Sequence, residues 1–346
     1  MAAMVTLVPV SGLDDSQRDL FTRWAEVYAA SGRALFGEDH TAWGADELRE
    51  LERSPHRRTL AAAAVTPDGE VVGATLVVLR LRENPRVAFL SLAVHPDHRR
   101  HGMGSELLRW AEARGAEHGR SVFIAETEWP AGHPELSGEA FARRHGYAPA
   151  QLVLRSTLRL PVDEATLTDV ADGDGDYVLE TSVDGIPDAW LEDRAELQRR
   201  MSTDAPLGAL QLEEEDWDAQ RMRGEYDVVL AMGRRVVETV ARHVSTGRLV
   251  GYTQVQVSPE TPTLGYQQDT LVVREHRGHA LGLRLKAANT LAVTEHLPEV
   301  TAIRTWNADD NRHMLAVNER LGYVADAHRR EWQKVLDHAP GGPATR

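Results

Sequence analysis

The sequence predicts two successive α/β domains, and three observations carry that prediction. Strand-like and helix-like segments alternate along most of the 346 residues. The stretch Ser91-Leu-Ala-Val-His-Pro-Asp-His-Arg-Arg-His-Gly-Met-Gly-Ser-Glu-Leu-Leu108 reads as a buried strand, a tight turn, a basic loop and a glycine-led helix. A second copy of that arrangement returns further on, with Arg99, Ser91 and Gly104 matched by Arg277, Asp269 and Gly282 at a constant offset of 178 residues. Self-similarity at so long a period means a duplicated domain and not a solenoid. The chain length agrees, at ~150 residues per domain.

Composition narrows the function classes. Hydrophobic residues make up 42% and charged residues 27%, which suits a globular protein with sizeable cores. No apolar run reaches the ~18 residues of a membrane span. The start, Met1-Ala-Ala-Met-Val, lacks the basic and apolar regions of a signal peptide, so a cytoplasmic protein is expected. The absence of cysteine excludes disulfides, thiolate nucleophiles and cysteine zinc sites. A net charge of −14 argues against nucleic-acid and anionic-membrane partners and favours a cationic acceptor such as an amine.

Taken in order, Val5 to Val10 reads as a strand. Asp14 or Asp15 caps a helix to about Ala30, with Leu20, Trp24, Val27 and Tyr28 at helical spacing. Ala45 to Arg53 is a second helix. Thr59–Val65 and Val71–Leu81 form a hairpin across Thr66-Pro-Asp-Gly69. Asn84-Pro85 turns the chain into Arg86–Val94 and the basic loop. The helix from Gly104 ends near Gly119, which takes the left-handed cap position. A strand at Ser121–Thr127, a helix at Leu136–His145 closing in Gly146-Tyr147, and a strand at Gln151–Leu160 complete the first half.

Pro161 to Asp176, rich in Asp, Gly and Thr, reads as a linker. Its Asp172-Gly-Asp-Gly-Asp176 is a solvated turn, because Tyr177 and Val183 stand where a calcium loop needs glycine and glutamate. The second half repeats the plan: a strand at Tyr177–Thr181, helices at Asp188–Met201 and Glu213–Arg223, and a hairpin of Arg235–Val244 with Leu249–Val257. Tyr266–Val273 then enters the second loop. A helix from Leu281 is stopped by Pro298, and Val300–Thr305 is a strand. Asn311–Leu321 is a helix ending in Gly322-Tyr323.

The loop carries its own chemistry. Glycines allow close backbone approach, the first helical amides are unpaired donors, and Arg99 and Arg100 add charge, which together suit a pyrophosphate. Arg-x-x-Gly-x-Gly after a Leu-Ala-Val strand resembles the acyl-CoA-binding motif of the GCN5-related N-acetyltransferase (GNAT) superfamily, and the repeat extends the resemblance over nearly the whole chain. The resemblance implies two tandem GNAT-like domains of the α/β (α+β) class, each a mixed, mostly antiparallel sheet flanked by helices. The expected bounds are 1–160, a linker at 161–176, and 177–346 with a short tail. It also implies acetyl-CoA as acyl donor, direct attack of an amine on the thioester, and no metal. The tandem further resembles the mycothiol synthase family, two-domain acetyltransferases whose second domain is the active one.

Residue by residue, the resemblance assigns main-chain pantetheine contacts to Leu92 and Val94. It assigns the phosphate loop to Arg99, Arg100, His101, Gly102, Met103 and Gly104. The second loop, Arg277-Gly-His-Ala-Leu-Gly282, has Ala280 where the first glycine belongs, so the first half is expected to hold the cofactor. Glu126 and Glu128, at the end of the strand after the first loop, are candidate bases, and Asp269 is the candidate in the second half. The family's tyrosine acid is missing from both halves: Ala142 and Asn318 stand in its place, and Glu135 and Asn311 at the preceding Asn position. His95 and His98 flank a proline that breaks helical geometry, and His101, His276 and His279 complete no ligand set, so no metal is expected. The acceptor is expected to be a small-molecule or peptide amine, bound by a monomeric pseudo-dimer or a homodimer. The alternatives are a mycothiol-synthase-like enzyme with the C-terminal domain active, in which Asp269 is the base, and a non-catalytic acyl-CoA-binding protein.

Overall fold

The computed structural model describes residues 5–134, 137–173 and 175–336. Glu135, Leu136, Asp174, the first four residues and the tail after 336 lie outside the described residues. The chain divides into two compact units that are not continuous in sequence. Unit 1 holds the described residues up to Leu152, with Gly208–Leu212 and the chain from Arg329 onward; unit 2 holds Val153–Leu207 and Glu213–His328.

Unit 1 opens with β1 (Thr6–Val10), α1 (Arg18–Phe36) and α2 (Ala45–Arg53), followed by β2 (Arg57–Val65), β3 (Val71–Arg80) and β4 (Val87–Val94). These four strands are antiparallel neighbours in chain order. The β2–β3 turn closes as the sequence predicts, with Gly69 at φ +90 and its N–H donated to the Thr66 carbonyl. Ala61 to Ala64 are buried, so both faces of β2 are covered. α1 lays Phe21, Trp24, Ala25 and Val27 on the sheet and runs past the expected end at Ala30 to Phe36. After α3 (Met103–Glu117), β5 (Val122–Pro130) joins β4 in parallel, and α4 (Ser137–Arg144) leads into β6 (Ala148–Arg159).

Unit 2 repeats this plan. Past α5 (Glu164–Ala171) come β7 (Tyr177–Val183), α6 (Leu191–Asp204), α7 (Ala219–Ala231), β8 (Arg235–His243), β9 (Leu249–Val257) and β10 (Leu264–Val272). Then follow α8 (Leu281–His296), β11 (Ala302–Ala308), α9 (Arg312–Leu321) and β12 (Val324–Val335). β7 to β10 are antiparallel and β11 joins β10 in parallel. Val71 and Leu249 open matching strands, and Met103 and Leu281 open matching helices, each pair 178 residues apart.

Three elements differ from the sequence reading. The stretch read as a linker contains α5, capped by Asp163 accepting the Thr166 N–H, with Leu167 buried in the unit 2 core beside Leu283 and Ala287. The helix expected from Glu213 begins at Ala219, because Asp218 accepts the Arg221 N–H and starts the helix there. β12 was not expected at all. Its residues from Arg329 follow β5 in unit 1, where Trp332 is buried and donates to Thr127. Likewise the strand expected to close the first half delivers Val153–Arg159 to unit 2, antiparallel to β11. Each half therefore completes its fold with a strand from the other half of the sequence.

Candidate active site

In both units a parallel strand pair comes apart at its C-terminal end. The β4–β5 ladder ends at Leu90↔Ala125, although β4 continues to Val94 and β5 to Pro130. The β10–β11 ladder ends at Tyr266↔Arg304, with β10 running on to Val272 and β11 to Ala308. Such a splay frees main-chain N–H and C=O groups on one edge, and buried groups of that kind require partners. Leu92 and Val94 lie on the splayed part of β4, half-buried.

Each splayed strand leads into a helix N-terminus. Gly102 caps α3 at φ +86, and a side chain added there would meet nothing within 4 Å, so glycine is favoured by the left-handed conformation and not by packing. Gly104 is different: a Cβ would sit 3.2 Å from Phe141, so this glycine lets α4 approach α3. Ala280 caps α8 at φ +53, the same left-handed conformation as Gly102, so the backbone of the second loop is preserved despite its methyl group. Neither cap position donates or accepts through a side chain, which leaves the first amides of α3 and α8 open to an anion.

The motif arginine has a structural task in both loops. Arg99 donates from Nε to the Val94 carbonyl at 3.2 Å and from Nη2 to Ser31 at 3.0 Å. Arg277 donates to the Val272 carbonyl at 3.1 Å and to Asp204 at 2.7 Å. Both brace the loop to its own strand, whereas Arg100 and His101 are exposed and Met103 is buried against Leu107.

The candidate bases fare unequally. Glu126 and Glu128 both pair with Arg329 of β12, at 3.2 and 2.7 Å. That strand was invisible in the sequence, and with it came the cation that occupies both carboxylates. Beside them Glu331 is pushed up to about 7 by burial and by the neighbouring Glu126. Asp269 lies on the irregular part of β10, where the register with β9 shifts between Gln267 and Thr270. Its Oδ2 accepts from Gln198 Nε2 at 2.8 Å and lies 3.4 Å from the Tyr252 hydroxyl, which donates to Gln198 Oε1 at 3.0 Å.

Asp269 lines a cavity of about 180 Å³ in unit 2, far above the ~10–15 Å³ that one water needs. Its walls come from α6 and α7, its floor from Tyr252, Gln254 and Gln256 on β9. Below them Arg194 pairs with Glu238, both almost fully buried, and the guanidinium lies 3.5 Å over the Tyr252 ring. The matching place in unit 1, under α1 and α2, keeps only about 10 Å³ among Phe21, Trp24, Leu48 and Leu76. The sheet explains the difference: the cross-strand pair Ala61–Leu76 of β2 and β3 is matched by Glu238–Gln254 of β8 and β9.

A second buried polar group sits between α8 and α9. Lys286, where unit 1 has the core residue Leu108, donates to Asn318 Oδ1 at 2.6 Å, and Asn318 donates to Asn307 at 2.7 Å. Burial lowers the lysine to about 7. Among the described residues no cluster of three His, Asp or Glu side chains is placed to hold a metal, and no helix is long and apolar enough to cross a membrane.

A splayed parallel pair feeding a left-handed cap and a helix N-terminus, on a mixed sheet flanked by helices, defines an N-acyltransferase of the GCN5-related class. The comparisons agree. The profile of the acetyltransferase (GNAT) family matches residues 24–136. A mycothiol acetyltransferase of Pseudarthrobacter chlorophenolicus is 27% identical over 269 residues, 74% of this chain and 72% of that protein. Another, of Paenarthrobacter aurescens, is 25% identical over 332 residues, 91% and 92% of the two chains. A tandem GNAT protein from the clavulanic acid biosynthesis pathway, solved without AcCoA, has 28% identity, covers 99% of this chain and 100% of its own, and superposes with a TM-score of 0.80. Residues 24–136 thus match the GNAT acetyltransferase family, and over its whole length the chain is similar to tandem, two-domain N-acyltransferases of that kind.

Proposed function

We propose that the chain transfers the acetyl group of acetyl-CoA to the primary amine of a small molecule or peptide, and that unit 2 carries out the transfer. The observation that carries this reading is the cavity beside the β10–β11 splay with Asp269 in its wall. Acetyl-CoA supplies the activated acyl carbon. The residues present fit it: the free edge of β10 offers main-chain donors, and the open N-terminus of α8 suits a pyrophosphate. Asp269 takes the ammonium proton so that the nitrogen can attack, the C–N bond forms, and the C–S bond breaks. The departing thiolate takes its proton from solvent, since no tyrosine occupies the position of Asn318.

Unit 1 retains a phosphate loop of Arg100, His101, Gly102, Met103 and Gly104, with Arg99 as its brace and Leu92 and Val94 on the splayed edge. The space under α1 and α2 that matches the unit 2 cavity is filled, so in this reading unit 1 holds its acyl-CoA without transfer. Similarity to mycothiol acetyltransferases supports acetylation of a small molecule and makes a mycothiol-related acceptor the second reading.

The test is CoA release from acetyl-CoA across an amine panel, with Asp269→Asn and Glu126→Gln alongside the native protein. Asp269→Asn is expected to lower kcat by ~100-fold or more while Glu126→Gln stays within about threefold. The reverse pattern moves the chemistry to unit 1. Binding of acetyl-CoA with no turnover for any amine makes the chain a binding protein.

A further inference from the structure

We infer that the unit 2 cavity selects an amine with a neutral, hydrogen-bonding body, built of hydroxyl or amide groups, and rejects amines that carry a carboxylate or phosphate. This rests on placing the acceptor in unit 2. Three features of the cavity support it independently of the reaction.

The charge balance comes first. Asp269 and Glu225 line the cavity and Glu238 lies beneath it; against these three carboxylates stand Arg194, the one Arg or Lys among the lining residues, and Arg234, which donates from outside the lining to Gln256 at 3.3 Å. Arg194 is already committed through Nε to Glu238. An ammonium entering this space meets an excess of negative charge, and a second anion on the same molecule meets repulsion that the buried setting screens poorly.

The geometry of Asp269 comes second. The hydrogen bond that it receives from Gln198 falls on Oδ2, and the Tyr252 hydroxyl, 3.4 Å away, lies against the same oxygen. The Gln198 amide cannot turn over, because that would set its oxygen against the Asp269 carboxylate. Oδ1 is thereby left for the ammonium, and the amine is fixed at one end of the cavity.

The rest of the lining supplies the body's partners. The Arg194 guanidinium, in a side chain only 2% exposed, does not reach the open cavity itself but holds its floor: it pairs with Glu238, which accepts from Gln254, and lies over the Tyr252 ring. The floor beyond is neutral and polar: Gln254 bridges Tyr226 and Glu238, and Gln256 donates to Gln254. Floor positions Leu76 and Val78 of unit 1 have become Gln254 and Gln256, so an apolar body is not what this floor was built to cover.

The test uses matched amines differing only in the terminal group: alaninamide against alanine, and serinol against serine. With the full-length native protein, kcat/KM is expected to favour the amide and the alcohol at least tenfold. Titration calorimetry without acetyl-CoA is expected to rank them the same way. Equal or better use of the free acids overturns the inference, as does failure of all four to bind or react. The paired change R194M with E238L removes both buried charges together. It is expected to keep the melting temperature and acetyl-CoA affinity, raise KM for serinol at least tenfold, and leave kcat within about threefold. An unchanged KM removes the floor held by Arg194 from acceptor recognition and overturns that part. Asp269→Asn separates the two readings: retained activity there places the acceptor elsewhere, whereas lost activity with no preference for neutral amines defeats only the substrate class.

Discussion

In unit 1 the space under α1 and α2 is closed by Phe21, Trp24 and Leu76, and in unit 2 the matching space is held open over Arg194, Glu238 and Gln254. The strands and helices around the two spaces correspond one to one. An apolar interior of the first kind gains burial energy at ~25 cal/mol per Å². One of the second kind forgoes that and adds a buried ion pair, which well-packed apolar residues often replace without loss of stability. A duplicated fold keeps such an interior where it serves a ligand. The loops differ in the opposite sense, since unit 1 has the fuller glycine pattern and unit 2 carries alanine at a left-handed cap. The better-matching motif therefore sits in the unit whose space under the helices is filled.

The comparison can be broken most forcefully from the apolar side. Phe21→Ala should cost ~3–5 kcal/mol in denaturant unfolding, since Phe21 is buried in the unit 1 core, yet leave kcat of the folded protein unchanged. A fall in kcat would give unit 1 a direct part in the reaction. Next in size is Asp269→Asn, whose expected ~100-fold loss is worth ~2.7 kcal/mol of barrier.

Lys286 gives the pH dependence. Its folded value of about 7 lies below the ordinary 10.5, so between those limits the unfolded chain binds more protons and stability rises with pH. The penalty of burying the charge is fully present below pH ~7 and relieved as pH rises. Relative to Lys286→Met, the native protein should gain up to ~2 kcal/mol between pH 7 and 9, read as unfolding midpoints of the two proteins side by side. Parallel midpoints would mean the lysine is neutral throughout. Glu331 runs the other way: raised to about 7, it holds its proton more tightly when folded, so its contribution falls as pH rises from 4.5 toward 7, and Glu331→Gln should flatten that decline. The smallest effect is Ala280→Gly, which relieves the left-handed cap and should stabilise by ~0.5–1 kcal/mol, less the entropy glycine adds to the unfolded chain. A destabilised variant would show that the methyl packs usefully.

Much of the fold was legible because its signals are local. Pro-Asp-Gly at the β2–β3 turn, Gly119 and Gly322 at helix ends, and the two glycine loops each act within a few residues of themselves. β12 was not legible: Val324-Ala-Asp-Ala-His-Arg-Arg-Glu-Trp-Gln-Lys-Val335 places charge on both faces, which hides the strand period. The candidate site was half legible. Asp269 stood out as an acid in a strand before a loop, but Gln198, Tyr252, Arg194 and Glu238 come from three other elements with no spacing to join them. Glu126 and Glu128 were credible bases until Arg329 arrived some two hundred residues later in the chain.

By itself, then, the sequence determined the duplication, most of the order of strands and helices and the two strand–loop–helix turns, all of which depend on the backbone preferences of neighbouring residues. Tertiary structure alone decided which strand completes which unit, which carboxylates are neutralised and which cleft stays open. Those outcomes depend on side chains brought together from distant parts of the chain, where burial and unlike charge settle a residue's role and sequence spacing carries no trace of it.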